Sequence, residues 1–192
     1  EVGGYPILWH IMKEYSAHGV NDFIVCCGYK GNVIKEWFAN YVLNFSDVTF
    51  DLSTNQVEYH RGRAEPWKVT LVDTGESTMT GGRVRRVREH IGDETFCLTY
   101  GDGVADVDIT ASIAFHKAHG RDATMTVVQP PGRFGAVVVH PGEARVESFS
   151  EKTDGEGAWI NGGYFVLEPR VIDRIAADET TWEQEPLKGL AH

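Results

Sequence analysis

The run Phe96-Cys97-Leu98-Thr99-Tyr100 breaks off at Gly101-Asp102-Gly103. An apolar stretch that stops abruptly at glycine reads as a strand buried in a sheet, its end delivering one carboxylate into open space. In open α/β sheets ligands occupy the crevice outside the carboxyl ends of the strands, so Asp102 falls where chemistry is expected. Neither flanking glycine has a Cβ, and a ligand or its phosphates can therefore approach the backbone closely. A carboxylate beside phosphates makes chemical sense with a hard cation between them, because Mg²⁺ prefers oxygen ligands and is held by one or two carboxylates. The same residues also suit an ordinary strand-end turn with a solvated aspartate.

Helices and strands alternate around that strand. Pro6 to His18 carries Leu8, Ile11, Met12 and Tyr15 at helical spacing, with Gly19 closing it. Phe23–Cys27 is a short apolar strand, and Asn32 is placed to cap a helix through Asn40. Val48–Leu52, Gln56–Tyr59 and Lys68–Leu71 read as strands, followed by a basic helix from Gly82 to Ile91. Asp108 can cap a helix ending at His119 before Gly120. Strands are predicted at Ala123–Val128, Ala136–Val139, Val146–Phe149 and Tyr164–Leu167, then a helix over Pro169–Ala177. The alternation predicts an α/β fold, a three-layer Rossmann-like mixed sheet over 1–192 as one domain. The later run of strands predicts a small antiparallel extension.

At 192 residues the chain can bury a sizeable core. Its net charge of −10 argues against nucleic acid or an anionic membrane as partner, since both require a basic footprint. A small phosphorylated ligand is compatible with that charge, because a few cations and a metal can meet it locally. No apolar run is long enough to span a bilayer. Cys26, Cys27 and Cys97 all lie in apolar runs, which fits buried thiols and a cytoplasmic location.

Several further residues carry chemistry on their own terms. Gly81-Gly82 opening a helix would present free backbone N–H groups to a base edge or phosphate, with the guanidinium of Arg83 adding a fork of donors. Asn161-Gly162-Gly163 offers an amide with both donor and acceptor for vicinal hydroxyls, and is equally a turn. Glu151-Lys152 pairs opposite charges and suits a solvated hairpin. His116 and His119 lie one turn apart and could bind zinc, but no cysteine or carboxylate at ligand spacing supports it, which favours a surface helix end. Arg85, Arg86 and Arg88 read as a solvated helix face, and the spacing of Asp102, Asp106 and Asp108 departs from an aspartate-x-aspartate metal motif.

Taken in order, Glu1 to Met12, Val72-Asp73-Thr74-Gly75, Met79-Thr80-Gly81-Gly82-Arg83, Tyr100-Gly101-Asp102-Gly103, Pro130-Pro131-Gly132-Arg133-Phe134-Gly135, Phe149-Ser150-Glu151-Lys152, Ile160-Asn161-Gly162-Gly163 and Thr180 to Pro186 resemble the sugar-1-phosphate nucleotidyltransferases. The resemblance covers essentially the whole chain and is strongest to the branch that joins CTP to glucose 1-phosphate. It implies the fold type of nucleotide-diphospho-sugar transferases, with the antiparallel extension holding the sugar, and Mg²⁺ as cofactor on Asp102. It implies a nucleotide side of Thr78, Gly81, Gly82, Arg83 and Gly101. On the sugar-phosphate side it implies Gly135, Glu151, Lys152, Asn161 and Glu183, with Asp102 and Lys152 as the catalytic pair. Self-association into a homo-oligomer, and a product feeding deoxysugar and surface-polysaccharide pathways, are expectations of the same kind.

The same fold serves UTP or dTTP, and a regulatory homologue that binds without turnover or a glycosyltransferase are rival readings. By comparison with the family, a first strand with its Gly-rich loop and a later segment with a second metal-binding aspartate are missing. The chain is therefore expected to be an internal fragment of a longer enzyme.

Overall fold

A computed structural model describes residues 1–129 and 159–191, together with the backbone of 136–139 and 146–150. The N-terminal helix α1 (Ile7–Ala17) buries Ile11, Met12 and Tyr15, as their spacing predicts. It ends in a Schellman arrangement in which Gly19 N–H reaches Ser16 O at 3.0 Å and Val20 N–H reaches Tyr15 O at 3.1 Å. β1 (Asp22–Cys27) follows, then α2 (Gly31–Ala39), the short α3 (Tyr41–Asn44), β2 (Ser46–Asp51), β3 (Gln56–Gly62) and β4 (Lys68–Asp73). Asn32 is not the cap of α2: the cap position is Lys30, held in the left-handed region at φ 56°.

The basic segment is two helices, α4 (Thr80–Arg86) and α5 (Arg88–Ile91), broken at Val87. β5 (Phe96–Thr99) precedes α6 (Ile109–His119), whose first turn is capped by Asp108 Oδ1 accepting Ala111 N–H at 2.8 Å. β6 (Ala123–Val128), β7 (Ala136–Val139), β8 (Val146–Ser150) and β9 (Ile160–Leu167) complete the strands. Pro169–Arg174 winds as a 3-10 helix, tighter and shorter than the predicted helix, and α7 (Glu185–Leu190) ends the described chain.

The sheet order explains the layers. β1 and β4 pair in parallel, while β9 lies between β5 and β6 and runs antiparallel to both. Among the described residues these are two separate sheets, one parallel and one antiparallel, and side chains alternate across the antiparallel one. Phe96, Leu98, Phe165 and Leu167 face Val84, Val171, Ile172 and Trp182 on one side. Cys97 and Tyr164 face Ile11, Tyr15 and Ile109 on the other. Helices α1 and α6 thus cover one face, and α4, α7 and the 3-10 turn cover the other, giving the three layers the alternation predicts. The antiparallel part is more dispersed than expected: β7–β8 and β2–β3 are separate hairpins, and β9 belongs to the main sheet. β1, expected to be fully buried, is mostly half-buried, because β4 is its only sheet neighbour among the described residues.

Candidate functional site

Three strand ends carry the candidate residues. Thr74, just after β4, donates its hydroxyl to the carbonyl of Cys27, the last residue of β1, at 2.8 Å. The guanidinium of Arg83 lies over this junction, reaching Thr74 Oγ1 at 2.7 Å, Cys27 O at 3.4 Å and Glu76 O at 3.2 Å. Gly28 permits that approach, since a Cβ there would stand 2.4 Å from Arg83 Nη1. Arg83 therefore braces the β1 and β4 ends, and its five N–H groups leave donors beyond those three bonds. Thr78, in the loop before α4, is buried.

The third end is that of β5. Tyr100 packs its ring where a side chain on Gly163 would project, and Gly163 sits at φ +83°, a conformation only glycine adopts without strain. Asn161 Oδ1 accepts Gly163 N–H at 2.8 Å, and its Nδ2 donates to the Tyr100 hydroxyl at 3.1 Å. The Tyr100 hydroxyl donates in turn to Glu183 Oε1 at 2.6 Å. Burial, and then the Glu183 carboxylate, push the Tyr100 phenol up to about 12, so it stays a neutral donor near neutrality. The other Glu183 oxygen accepts from Thr80 Oγ1 at 2.8 Å, at the start of α4. This carboxylate ties the loop after β4 to the loop after β5.

Beyond Tyr100 the loop opens. Asp102 is exposed and makes no hydrogen bond or ion pair with any described residue, and a Cβ on Gly101 or Gly103 would meet nothing within 4 Å. An unpaired carboxylate with open backbone on both sides leaves room for a hard cation shared with substrate phosphates.

The glycine pair behaves differently from the expectation. Gly82 N–H is not free but donates to Thr180 O at 3.1 Å. A Cβ on Gly81 would stand 2.7 Å from Thr180 O, and one on Gly82 would stand 2.3 Å from Asp178 O. The pair lets α4 pack backbone-to-backbone against residues 178–182, which takes the Gly82 N–H out of the set of free donors. Arg85 and Arg86 are exposed, as expected of a solvated face, and Arg86 also forks onto Asp178 through Nε at 3.1 Å and Nη2 at 2.5 Å, while Arg88 binds Gly92 O and Asp93. Gly135, Glu151 and Lys152 lie outside the described residues.

The histidine pair is remote from these strand ends; His119 is half-buried at the end of α6, and His116 departs from the expected surface position. His116 is 1% exposed, which places it in the interior. Arg121 N–H donates to His119 Nδ1 at 3.0 Å, so His119 Nε2 carries the proton that reaches Thr124 Oγ1 at 2.7 Å. Thr124 then donates to His116 Nδ1 at 2.9 Å, and His116 Nε2–H reaches Glu168 Oε1 at 3.1 Å. Every ring nitrogen is committed, and no metal-holding cluster of three or more His, Cys, Asp or Glu exists among the described residues. Burial raises Cys26 and Cys97 to about 11, which leaves both thiols unreactive.

Sequence comparison decides what such a site belongs to. The profile of the nucleotidyl transferase family matches residues 1–190. The chain is a nucleotidyltransferase. Glucose-1-phosphate cytidylyltransferase of Salmonella typhimurium is 65% identical over 192 residues, covering 100% of this chain and 74% of that protein. A probable glucose-1-phosphate cytidylyltransferase of Bacillus subtilis is 47% identical, covering 99% of this chain and 74% of that one. In three dimensions the crystal structure of HddC from Yersinia pseudotuberculosis superposes with a TM-score of 0.63 at 19% identity, over 96% of this chain and 72% of that one, a likeness of fold. No helix among the described residues of this nucleotidyltransferase is long and apolar enough to cross a membrane.

Proposed function

We propose that this nucleotidyltransferase transfers the cytidylyl group of CTP to α-D-glucose 1-phosphate, giving CDP-glucose and pyrophosphate. The observation that carries this reading is the 65% identity to the Salmonella cytidylyltransferase along the entire chain. In the reaction a phosphate oxygen of glucose 1-phosphate attacks the α-phosphorus of CTP. That bond forms as the bond from the α-phosphorus to the oxygen bridging to the β-phosphate breaks, and the electron pair leaves with pyrophosphate. The nucleophile is already anionic, so no general base is needed, and the protein's contribution is alignment and charge neutralisation.

Asp102 would hold Mg²⁺, which when bound supplies positive charge to the triphosphate. Arg83, Thr78 and the open backbone at Gly101 make the nucleotide side of the reading. Arg83 adds to that side a guanidinium already oriented by Thr74 and Cys27. Lys152 meets the sugar phosphate, while Asn161, Glu151 and Gly135 take the sugar. The acidic net charge and the free cysteines suit a cytoplasmic enzyme acting on small anions.

The test is pyrophosphate release by the intact enzyme with glucose 1-phosphate and each of CTP, UTP and dTTP. Turnover should be strongly preferential for CTP, and Asp102→Asn, nearly isosteric, should lower kcat by at least ~10²-fold without changing Tm. Equal rates with all three triphosphates would overturn the assignment of cytidine, and near-normal turnover by the variant would remove Asp102 from the site.

A further inference from the structure

The Tyr100–Glu183 pair is not assigned by anything in the reaction as described, and its geometry has a direction. A backbone N–H can only donate, so the Asn161 atom facing Gly163 N at 2.8 Å is Oδ1, and Nδ2 must face Tyr100. A phenol has one proton. With that proton on Glu183 Oε1, the Tyr100 oxygen presents a lone pair to Asn161. The carboxylate is itself fixed from the other side by Thr80 Oγ1, which accepts Trp182 N–H at 2.9 Å and so points its own proton at Glu183 Oε2.

We infer that Glu183 and Tyr100 are positioning residues: through a one-way hydrogen-bond relay they set the rotamer and amide orientation of Asn161 for the sugar. The inference rests on the reading of Asn161 as a sugar contact. It gives Glu183 the part of a brace, because each of its oxygens already accepts a hydrogen bond from the protein. One N–H of Asn161 and the second lone pair of its Oδ1 remain for the two partners of a vicinal diol. The relay also starts at the first residue of α4, the helix that carries Arg83, so the loop on the nucleotide side and the amide on the sugar side share one rigid connection.

The experiment is steady-state kinetics on the intact enzyme with Asn161→Ala, Tyr100→Phe, Glu183→Ala and Glu183→Gln, with Tm measured for each. Tyr100→Phe and Glu183→Ala should raise KM for glucose 1-phosphate by about three- to tenfold, the scale of one hydrogen bond, with KM for CTP within about twofold. The Tyr100→Phe/Glu183→Ala double variant should be no worse than the poorer single variant, since both break one chain. Glu183→Gln, whose amide oxygen still accepts the phenolic proton, should recover most of the loss seen with Glu183→Ala. Purely structural roles would lower Tm and affect both substrates alike, which would overturn the relay. So would an unchanged glucose 1-phosphate KM in Tyr100→Phe alongside a raised one in Asn161→Ala. If Asn161→Ala itself leaves that KM unchanged, the sugar role of Asn161 falls and the relay with it.

Discussion

The same substitution at two glycines should fail in two different ways. Gly82 lies inside α4, where alanine favours the helix by about 1 kcal/mol. Its Cβ, however, would stand 2.3 Å from Asp178 O and 2.6 Å from Asp178 Cα, both backbone atoms that no rotamer change can move. Overpacking of this kind costs typically 1–3 kcal/mol, and a backbone obstacle puts it at the upper end, about 3 kcal/mol. Subtracting the propensity gain leaves about 2 kcal/mol of net destabilisation, which for a domain of this size lowers Tm by about 4–8 °C. Gly101→Ala meets no atom within 4 Å and should leave Tm unchanged to within about 0.5 kcal/mol of stability. What it should change is KM for CTP, because the added methyl occupies the space left for the nucleotide. Thermal unfolding followed by circular dichroism, with kinetics on the same preparations, separates the two. A Gly82→Ala protein as stable as the parent would refute the close packing of α4 on residues 178–182. A Gly101→Ala protein with an unchanged CTP KM would refute the open approach beside Asp102.

Three further outcomes are expected. Lys152→Ala should weaken glucose 1-phosphate by a charge-assisted bond, roughly 1.5–3 kcal/mol, and spare CTP. Arg83→Ala should weaken CTP and also lower Tm, since it strips the brace from Thr74 and Cys27, and equal loss of CTP by both variants in calorimetry would dissolve the division of the pocket. Hydrogen bonds from Thr95 and then His116 hold the Glu168 carboxyl below its ordinary value. Its contribution to stability is therefore complete above the ordinary carboxyl pKa of about 4.3 and is lost as pH falls through the lower folded value. Glu168→Gln should flatten the fall of Tm as pH drops below the ordinary carboxyl range, and an unchanged acid limb would count against this pairing.

The elements were legible where the signal is local. Helical spacing placed α1, and Asp108 announced α6 because an aspartate cap acts within three residues. Two-residue alternation is visible in β5, where Cys97 faces one layer while Phe96 and Leu98 face the other. The misses have local explanations too. Asn161-Gly162-Gly163 has the composition of a turn, yet it continues β9 because β6 pairs alongside it through an irregular register at Met125/Val127. Pro186 masked α7, although proline is tolerated in a helix's first turn, where its missing N–H has no partner to lose.

Site residues divide along a different line. The exposure of Asp102 could be read from its neighbours alone, because the glycine on each side leaves open space around it. Tyr100, Thr80 and Thr74 could not, because their roles depend on partners that local pattern does not bring together. Glu183 lies 83 positions from Tyr100 and 103 from Thr80. The misreading of Gly81-Gly82 has the same origin. Two glycines at a helix start look like a phosphate cradle until residues 178–182 fold back against them, and the N–H of Gly82 is then taken by Thr180 O. Residues 178–183 therefore do the organising: Asp178 takes Arg86 and Met79 N–H, Thr180 takes Gly82 N–H, Trp182 N–H reaches Thr80, and Glu183 takes Thr80 and Tyr100. Each bond fixes a residue beside the open strand ends while making no demand on a ligand. On the proposed reading the rigidity of the site is carried by a segment in which the family resemblance placed a sugar ligand, Glu183, and that segment holds Tyr100, Thr80 and Arg86 in place.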